Sequence, residues 1–299
     1  MFFHNHYYKQ IISLGHQKFP YFWRNFITKN TIMKKLILGL SIVLFAISCS
    51  SSDDENIPTD PVVEIPVLPT KLSNSDDTGT FKYNGNKVSE INWVDYKVVC
   101  EYTGDLITRM IDYDAAGAKE ATTDFTYSND KLTKVVFVEG NVTETSIYSY
   151  PSTNTVNATV TRTSTSQGSP VVYKDVITYT LNNGNVVSEE MNYYNNGTLR
   201  GKISATYTYD DKNTAYKNIL GFDKIMVYTF DGDENTVGRN NLLTKNHTNT
   251  PVGSSVSKYK NVNTITYSAA GYPTQIITNQ YNASNQLNST STDFFEYNK

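Results

Sequence analysis

From residue 80 to the last residue, 299, the chain repeats one short pattern: apolar residues at every second position, in runs of about six to ten, closed by glycine or asparagine. A period of two is the spacing of a half-buried β-strand, because successive side chains leave a strand on opposite faces. In Ser204-Ala205-Thr206-Tyr207-Thr208-Tyr209 the aromatics share one face and the threonines the other. Residues 122–127, 262–267 and 293–297 do the same through Phe125 and Tyr127, Ile265 and Tyr267, and Phe295 and Tyr297. Threonine, valine and tyrosine suit a pleated surface wet on one side. No helical stripe of useful length occurs; the sequence admits a single turn around residues 213–220.

Turn signals separate the strands: Asn84-Gly85, Gly104-Asp105, Gly140-Asn141, Asn183-Gly184, Asn196-Gly197 and Asp231-Gly232. Asn-Gly and Asp-Gly tolerate the positive φ of tight hairpins, and sequential antiparallel strands pair with their neighbours. The expectation is an all-β antiparallel meander of hairpins. The units also resemble one another. Each is a strand ending in tyrosine, a turn, then a strand with recurring apolar residues, as at Tyr102 to Met110, Tyr127 to Val135, Tyr179 to Val187 and Tyr267 to Ile276. Recurrence of this kind marks one hairpin per unit.

The pattern resembles the YD (Rhs-type) repeat and the repeat-bearing β-rich surface lipoproteins of Bacteroidetes. The resemblance rests on Tyr113-Asp114-Ala115-Ala116-Gly117, Tyr209-Asp210-Asp211 and Tyr267-Ser268-Ala269-Ala270-Gly271, with Ser268 standing where the acid would be. In large Rhs proteins such repeats wind into a shell around a toxin. About 220 residues are few for a closed shell, so the resemblance implies one open, curled sheet over residues 80–299.

The beginning of the chain reads as an address. From Met33, Lys34-Lys35 precedes a twelve-residue apolar run at 36–47, and Ala46-Ile47-Ser48-Cys49 ends it. That order is a secretory signal peptide, and the run falls short of the ~20 residues that span a bilayer. The last four residues resemble a bacterial lipobox, which implies a lipid on Cys49. Ser50, Ser51, Ser52, Asp53, Asp54 and Glu55 follow, and resemble a surface-export signal. Residues 1–32 precede a complete signal and read as a start called too far upstream. Residues 33–48 are the signal and 49–79 an acidic tether holding four of the nine prolines. The expected location is the outer membrane, lipid-anchored and facing outward.

Charge and residue usage narrow the function. Residues 1–48 carry six bases and no acid, leaving 20 bases against 29 acids in the remainder, which disfavours nucleic acid as partner. Two cysteines exclude a disulfide scaffold or cysteine zinc site. Beyond Cys49 only His247 remains of four histidines; it lies in Asn246-His247-Thr248-Asn249 and is expected to be exposed. Cys100, on the face opposite Val99, reads as a small buried hydrophobe.

The carboxylate pairs Asp112/Asp114, Asp210/Asp211 and Asp231/Asp233 abut turns, where aspartate serves local hydrogen bonding. Residues 231–235 resemble the start of a calcium loop, but Thr236 and Leu242 stand where the EF-hand needs Gly and Glu. No catalytic set, metal site or cofactor is expected. A non-enzymatic binding role follows, with a glycan or polymer as ligand and Trp93 and Tyr96 as candidate binding aromatics. The alternative is a periplasm-facing scaffold that pairs through its sheet edges with an envelope protein.

Overall fold

The computed structural model describes residues 65–165, 170–229 and 238–299. Sixteen antiparallel strands follow one another as a meander, and the sheet closes on itself. They are β1 (Pro69–Ser73), β2 (Thr78–Asn84), β3 (Lys87–Asn92), β4 (Tyr96–Thr103), β5 (Leu106–Asp114), β6 (Lys119–Ser128), β7 (Lys131–Glu139) and β8 (Val142–Ser152). The second half continues with β9 (Thr155–Ser164), β10 (Val171–Asn182), β11 (Asn185–Asn195), β12 (Thr198–Tyr209), β13 (Leu242–Pro251), β14 (Ser257–Tyr267), β15 (Pro273–Asn282) and β16 (Leu287–Tyr297).

The hairpin meander forms as the alternation predicts, but the open, curled sheet does not: the fold is a closed barrel. Closure is made by β1, which pairs with β2 on one side and β16 on the other. Leu72 faces Gly79 and Phe295, and Lys71 faces Thr80 and Glu296. Pro69–Ser73 thus belongs to the barrel wall, so the folded body begins before residue 80. Pairing the first strand with the last removes both free edges, which in an open sheet would offer unpaired N–H and C=O groups to other chains. The scaffold that docks through sheet edges therefore has no edge to offer.

The repeated unit has a definite structure. At the end of the barrel where β1 starts and β16 finishes, an even-numbered strand finishes in tyrosine and the following odd strand opens with an apolar residue and then, in most units, serine or threonine. That second residue is the extra one of a β-bulge. Tyr83 faces Val88, Tyr102 faces Ile107 and Tyr127 faces Leu132, leaving Ser89, Thr108 and Thr133 unpaired in the ladder. The hydroxyls of those three donate to the carbonyls of Lys82, Glu101 and Thr126. Several of these tyrosines reach one unit back: Tyr127 donates to the Ile107 carbonyl (2.7 Å), Tyr150 to Leu132 (2.9 Å) and Tyr209 to Val186 (2.5 Å), whereas Tyr102 donates to the Leu220 carbonyl (3.2 Å). Two of the three asparagine–glycine turns behave as their chemistry requires, Asn183 and Gly184 sitting at φ 50° and 78° and Asn196 and Gly197 at 46° and 77°, while Asn84 ends β2 and the turn falls on Gly85 and Asn86.

Between β12 and β13 the chain folds inward instead of making a tight turn. The described part has turns at Thr214–Lys217 and Tyr216–Ile219, a 3-10 turn Phe222–Lys224 and the short helix α1 (Met226–Thr229). Ile219, Phe222, Ile225 and Val227 join one buried cluster with the wall residues Val88, Ile107, Leu132, Val156, Val186, Leu242 and Ile276. Tyr216 packs on Phe81 and Tyr228 meets Phe125 edge-on at 5.4 Å. The connection is held across the opening by the Leu220 N–H, which donates to the Asn86 carbonyl, and by the Asn218 side-chain amide, which donates to the Val67 carbonyl and the Tyr272 hydroxyl. A barrel of sixteen strands is wide enough for a channel. Here the end where β1 starts is plugged by the chain itself.

Candidate functional site

Seen by face, the barrel is inverted relative to one that sits in lipid. Outward positions carry charge and hydroxyl groups along the wall: Lys71–Glu296, Lys82–Glu90 and Arg109–Asp124 pair on the outside at 2.8, 2.9 and 2.5 Å. Thr178 donates to Asn157 and Thr208 bonds Thr244 on the same surface. Large exposed apolar side chains on the wall are scattered, such as Val138, Ile147 and Phe294. A membrane barrel instead needs an outward apolar band ~25 Å tall, and a Lys or Arg at the bilayer midplane costs roughly 2–4 kcal/mol.

Inside, beyond the plug, the inward positions become polar towards the opposite end of the barrel. Lys245 is buried, with its ammonium 5.7 Å from the centres of both the Tyr207 and Tyr259 rings. The Tyr207 hydroxyl donates to Glu189 at 2.8 Å. His247 stacks on Tyr259 at 4.3 Å and is 6% exposed, so the exposed histidine expected from its polar neighbours is a buried one. The neighbours mislead because Asn246 and Thr248 point to the outer face, whereas His247 points inward. Arg162 gives two hydrogen bonds, of 2.9 and 2.6 Å, to the same oxygen of Glu144. Arg162 and Glu144 thus neutralise one another, while Lys245 has ring faces and Glu189 a phenol hydroxyl as partners, as burial demands.

The carboxylates divide. Asp114 serves its turn, accepting the Ala118 N–H at 2.8 Å. Asp112 does not: it lies within β5, buried and facing inward, and burial together with the Glu139 and Glu120 charges pushes its pKa up to about 7. Asp210 anchors the start of the plug, accepting from the backbone N–H groups of Lys212 and Asn241, the Asn241 amide and the Tyr267 hydroxyl. Asp231 and Asp233 lie outside the described residues, as do Cys49 and the segment from Ser50 to Glu55. Among the described residues no group of three His, Cys, Asp or Glu is arranged to hold a metal.

Trp93 and Tyr96 are brought together, their rings stacked at 5.7 Å and 16°. The stack faces the inside of the wall. Tyr96 is buried, and Trp93 lies so close to Gly79 that a Cβ there would come within 2.9 Å of its ring. Cys100 is buried beside Val98, and burial drives its thiol up to about 12. Sequence reasoning missed Glu144, Arg162, Glu189 and Lys245, and also Lys217 and Arg239 on the plug segment. Bulges hide Lys245 and Glu189, since one extra residue near a strand's start reverses the in–out phase counted from its turn.

No family model matches the chain, and no curated protein matches it. Among solved structures, a porin-like protein from Bacteroides vulgatus ATCC 8482 is similar over 78% of this chain and 99% of its own, at 12% identity and a TM-score of 0.53. A porin-like protein from Bacteroides uniformis ATCC 8492 covers 77% of this chain and 96% of its own, at 13% identity and a TM-score of 0.43. The first likeness shows a shared barrel fold. Together with the closed sheet it overturns the resemblance to YD (Rhs-like) repeat lipoproteins. The tyrosine units are hairpins of a barrel wall, stitched one to the next, and no Rhs-type winding is present.

Proposed function

We propose that this chain is a non-enzymatic binding protein of the outer membrane whose barrel stands in water and is held to the bilayer by a lipid on Cys49. The observation that carries the reading is the charged outer wall, with Lys71–Glu296, Lys82–Glu90 and Arg109–Asp124 paired on it. A wall of that kind needs an anchor of another sort, and the signal ending at Cys49 supplies one. The apolar plug argues for binding over conduction. The ligand class in this reading is a glycan or similar polar polymer, met on the outer side of the membrane, with Ser50 to Glu55 as the export signal.

The experiment is fractionation of cells making the wild-type chain or Cys49→Ser, with acyl labelling and protease treatment of intact cells. The wild type is expected to take up label, sediment with membranes and be cut from unbroken cells, while Cys49→Ser is released. A Cys49→Ser protein that stays with the membrane through alkaline carbonate would overturn the water-facing barrel. Protection from protease until the outer membrane is breached would move the barrel to the periplasmic side.

A further inference from the structure

At the plugged end, Asn183 of the β10–β11 turn, residues 210–217 and residues 239–240 line an open polar cavity of about 490 Å³, within the size range of small-ligand sites. Part of its lining is committed to the fold. Asp210 has both oxygens occupied by the donors already named. The Asn240 amide donates to the Lys212 carbonyl (2.9 Å) and accepts from Asn185 (3.0 Å). Asn213 bridges Lys217 and the Ala270 carbonyl.

What remains has hydrogen-bonding capacity that the described residues leave open. The Arg239 side chain packs its stem over Gly184, and among the described residues its guanidinium has no ion pair or hydrogen bond. Lys217 spends one donor on Asn213 and keeps two, an ammonium carrying three in all. Asp211 is exposed and partly neutralised by Lys212 at 3.2 Å. Asn183 adds an amide from the hairpin turn. Two cations therefore share the cavity with the exposed Asp211 carboxylate, the Asn183 amide and Asp210, whose oxygens are already hydrogen-bonded. The lining is Asn, Asp, Lys and Arg throughout, so nothing in it would receive an apolar tail.

We infer that this cavity binds an acidic saccharide, with its carboxylate on Arg239 and Lys217 and its ring hydroxyls on Asn183 and Asp211. A guanidinium takes a carboxylate bidentately, and an aspartate that accepts hydroxyls turns away a second anion. The inference rests on the reading of the protein as a glycan binder and gives that reading a place and a charge.

The test is calorimetric titration of the full-length protein, purified in detergent, with trigalacturonate and with maltotriose. Trigalacturonate is expected to bind, maltotriose at least about tenfold more weakly, and Arg239→Ala and Lys217→Ala to weaken trigalacturonate about tenfold each. Arg239→Lys, which keeps the charge without the fork, is expected to fall between and serves as the probe should Arg239→Ala fail to fold. Trigalacturonate binding that ignores all three variants overturns the cavity while leaving a glycan binder. Equal binding of maltotriose overturns the acidic class. Binding of neither sugar overturns both the inference and the glycan reading beneath it.

Discussion

The hydroxyl of Tyr127, at the end of β6, donates to the carbonyl of Ile107, at the start of β5, across 2.7 Å. The same relation recurs from Tyr150 to Leu132, from Tyr209 to Val186 and from Tyr297 to Pro273, so that neighbouring hairpins are tied at the plugged end. The accepting residue is in each case the apolar one that opens its strand. Burial lifts the Tyr127 phenol well above its ordinary range, so it stays a donor at any working pH.

Replacing Tyr127 by Phe keeps the ring and removes the bond, leaving the Ile107 carbonyl without it. The expected loss is about 1 kcal/mol, seen as a lower denaturation midpoint with an unchanged slope and a Tm about 2–4 °C lower. An unchanged midpoint would show that the tyrosines matter only as packing.

That unit was legible in the sequence as far as its parts are local. A strand ending in tyrosine, an asparagine or glycine turn and an apolar residue can be read from a few neighbouring positions, and the turns at Asn183-Gly184 and Asn196-Gly197 sit where that chemistry puts them. Closure is not local. It depends on Leu72 meeting Phe295, more than two hundred residues away, through a five-residue strand next to a proline-rich stretch. Nor was the lumen legible. Lys245 and Glu189 sit just past bulges at Leu242–Thr244 and Val186–Ser188, and a strict count of two from the turn places them on the wrong face.

Asp112 gives the barrel a pH dependence of definite sign. Its folded pKa, raised to about 7 by burial and then by Glu139 and Glu120, lies above the ordinary carboxylate value of 3.8. Between these values the folded state holds the proton that the unfolded chain has released, so stability falls as pH rises from about 4 to 7. Asp112→Asn removes the charge with little change of shape. It is expected to stabilise the protein by roughly 1–4 kcal/mol at pH 8 and to have little effect at pH 4. Equal effects at both pH values would mean that the carboxylate is not what the interior resists.

A water-facing wall makes a direct prediction about chemical access. Thr178 on β10 and Thr206 on β12 point outward and are exposed. In a chain whose Cys100 is buried, cysteines placed at these two positions are the reactive thiols of the barrel. Thr178→Cys and Thr206→Cys are expected to react with a membrane-impermeant maleimide in intact membrane fragments as fast as in detergent. Protection that detergent relieves would place the wall in lipid and the charged pairs with it.

The plug tests whether the barrel and its filling fold as one. Ile225 is fully buried in the cluster that joins the β12–β13 connection to Ile107, Leu132 and Ile276 of the wall. Truncation to Ala in such a place costs about 2–5 kcal/mol in transfer and cavity terms. If wall and plug share one core, Ile225→Ala lowers a single denaturation midpoint by that amount. Amides of β5 and β7, far from residue 225 in sequence, should then lose protection together with it. The opposite result is a barrel whose midpoint is unmoved while the connection becomes open to proteases. The hydrogen bonds from Leu220 to Asn86 and from Asn218 to Val67 would then be a clasp on an independently stable wall, with an interior able to open. The shared buried cluster favours the first outcome, because Phe81 and Phe125 of the wall have Tyr216 and Tyr228 of the plug as ring partners and would face a cavity without them.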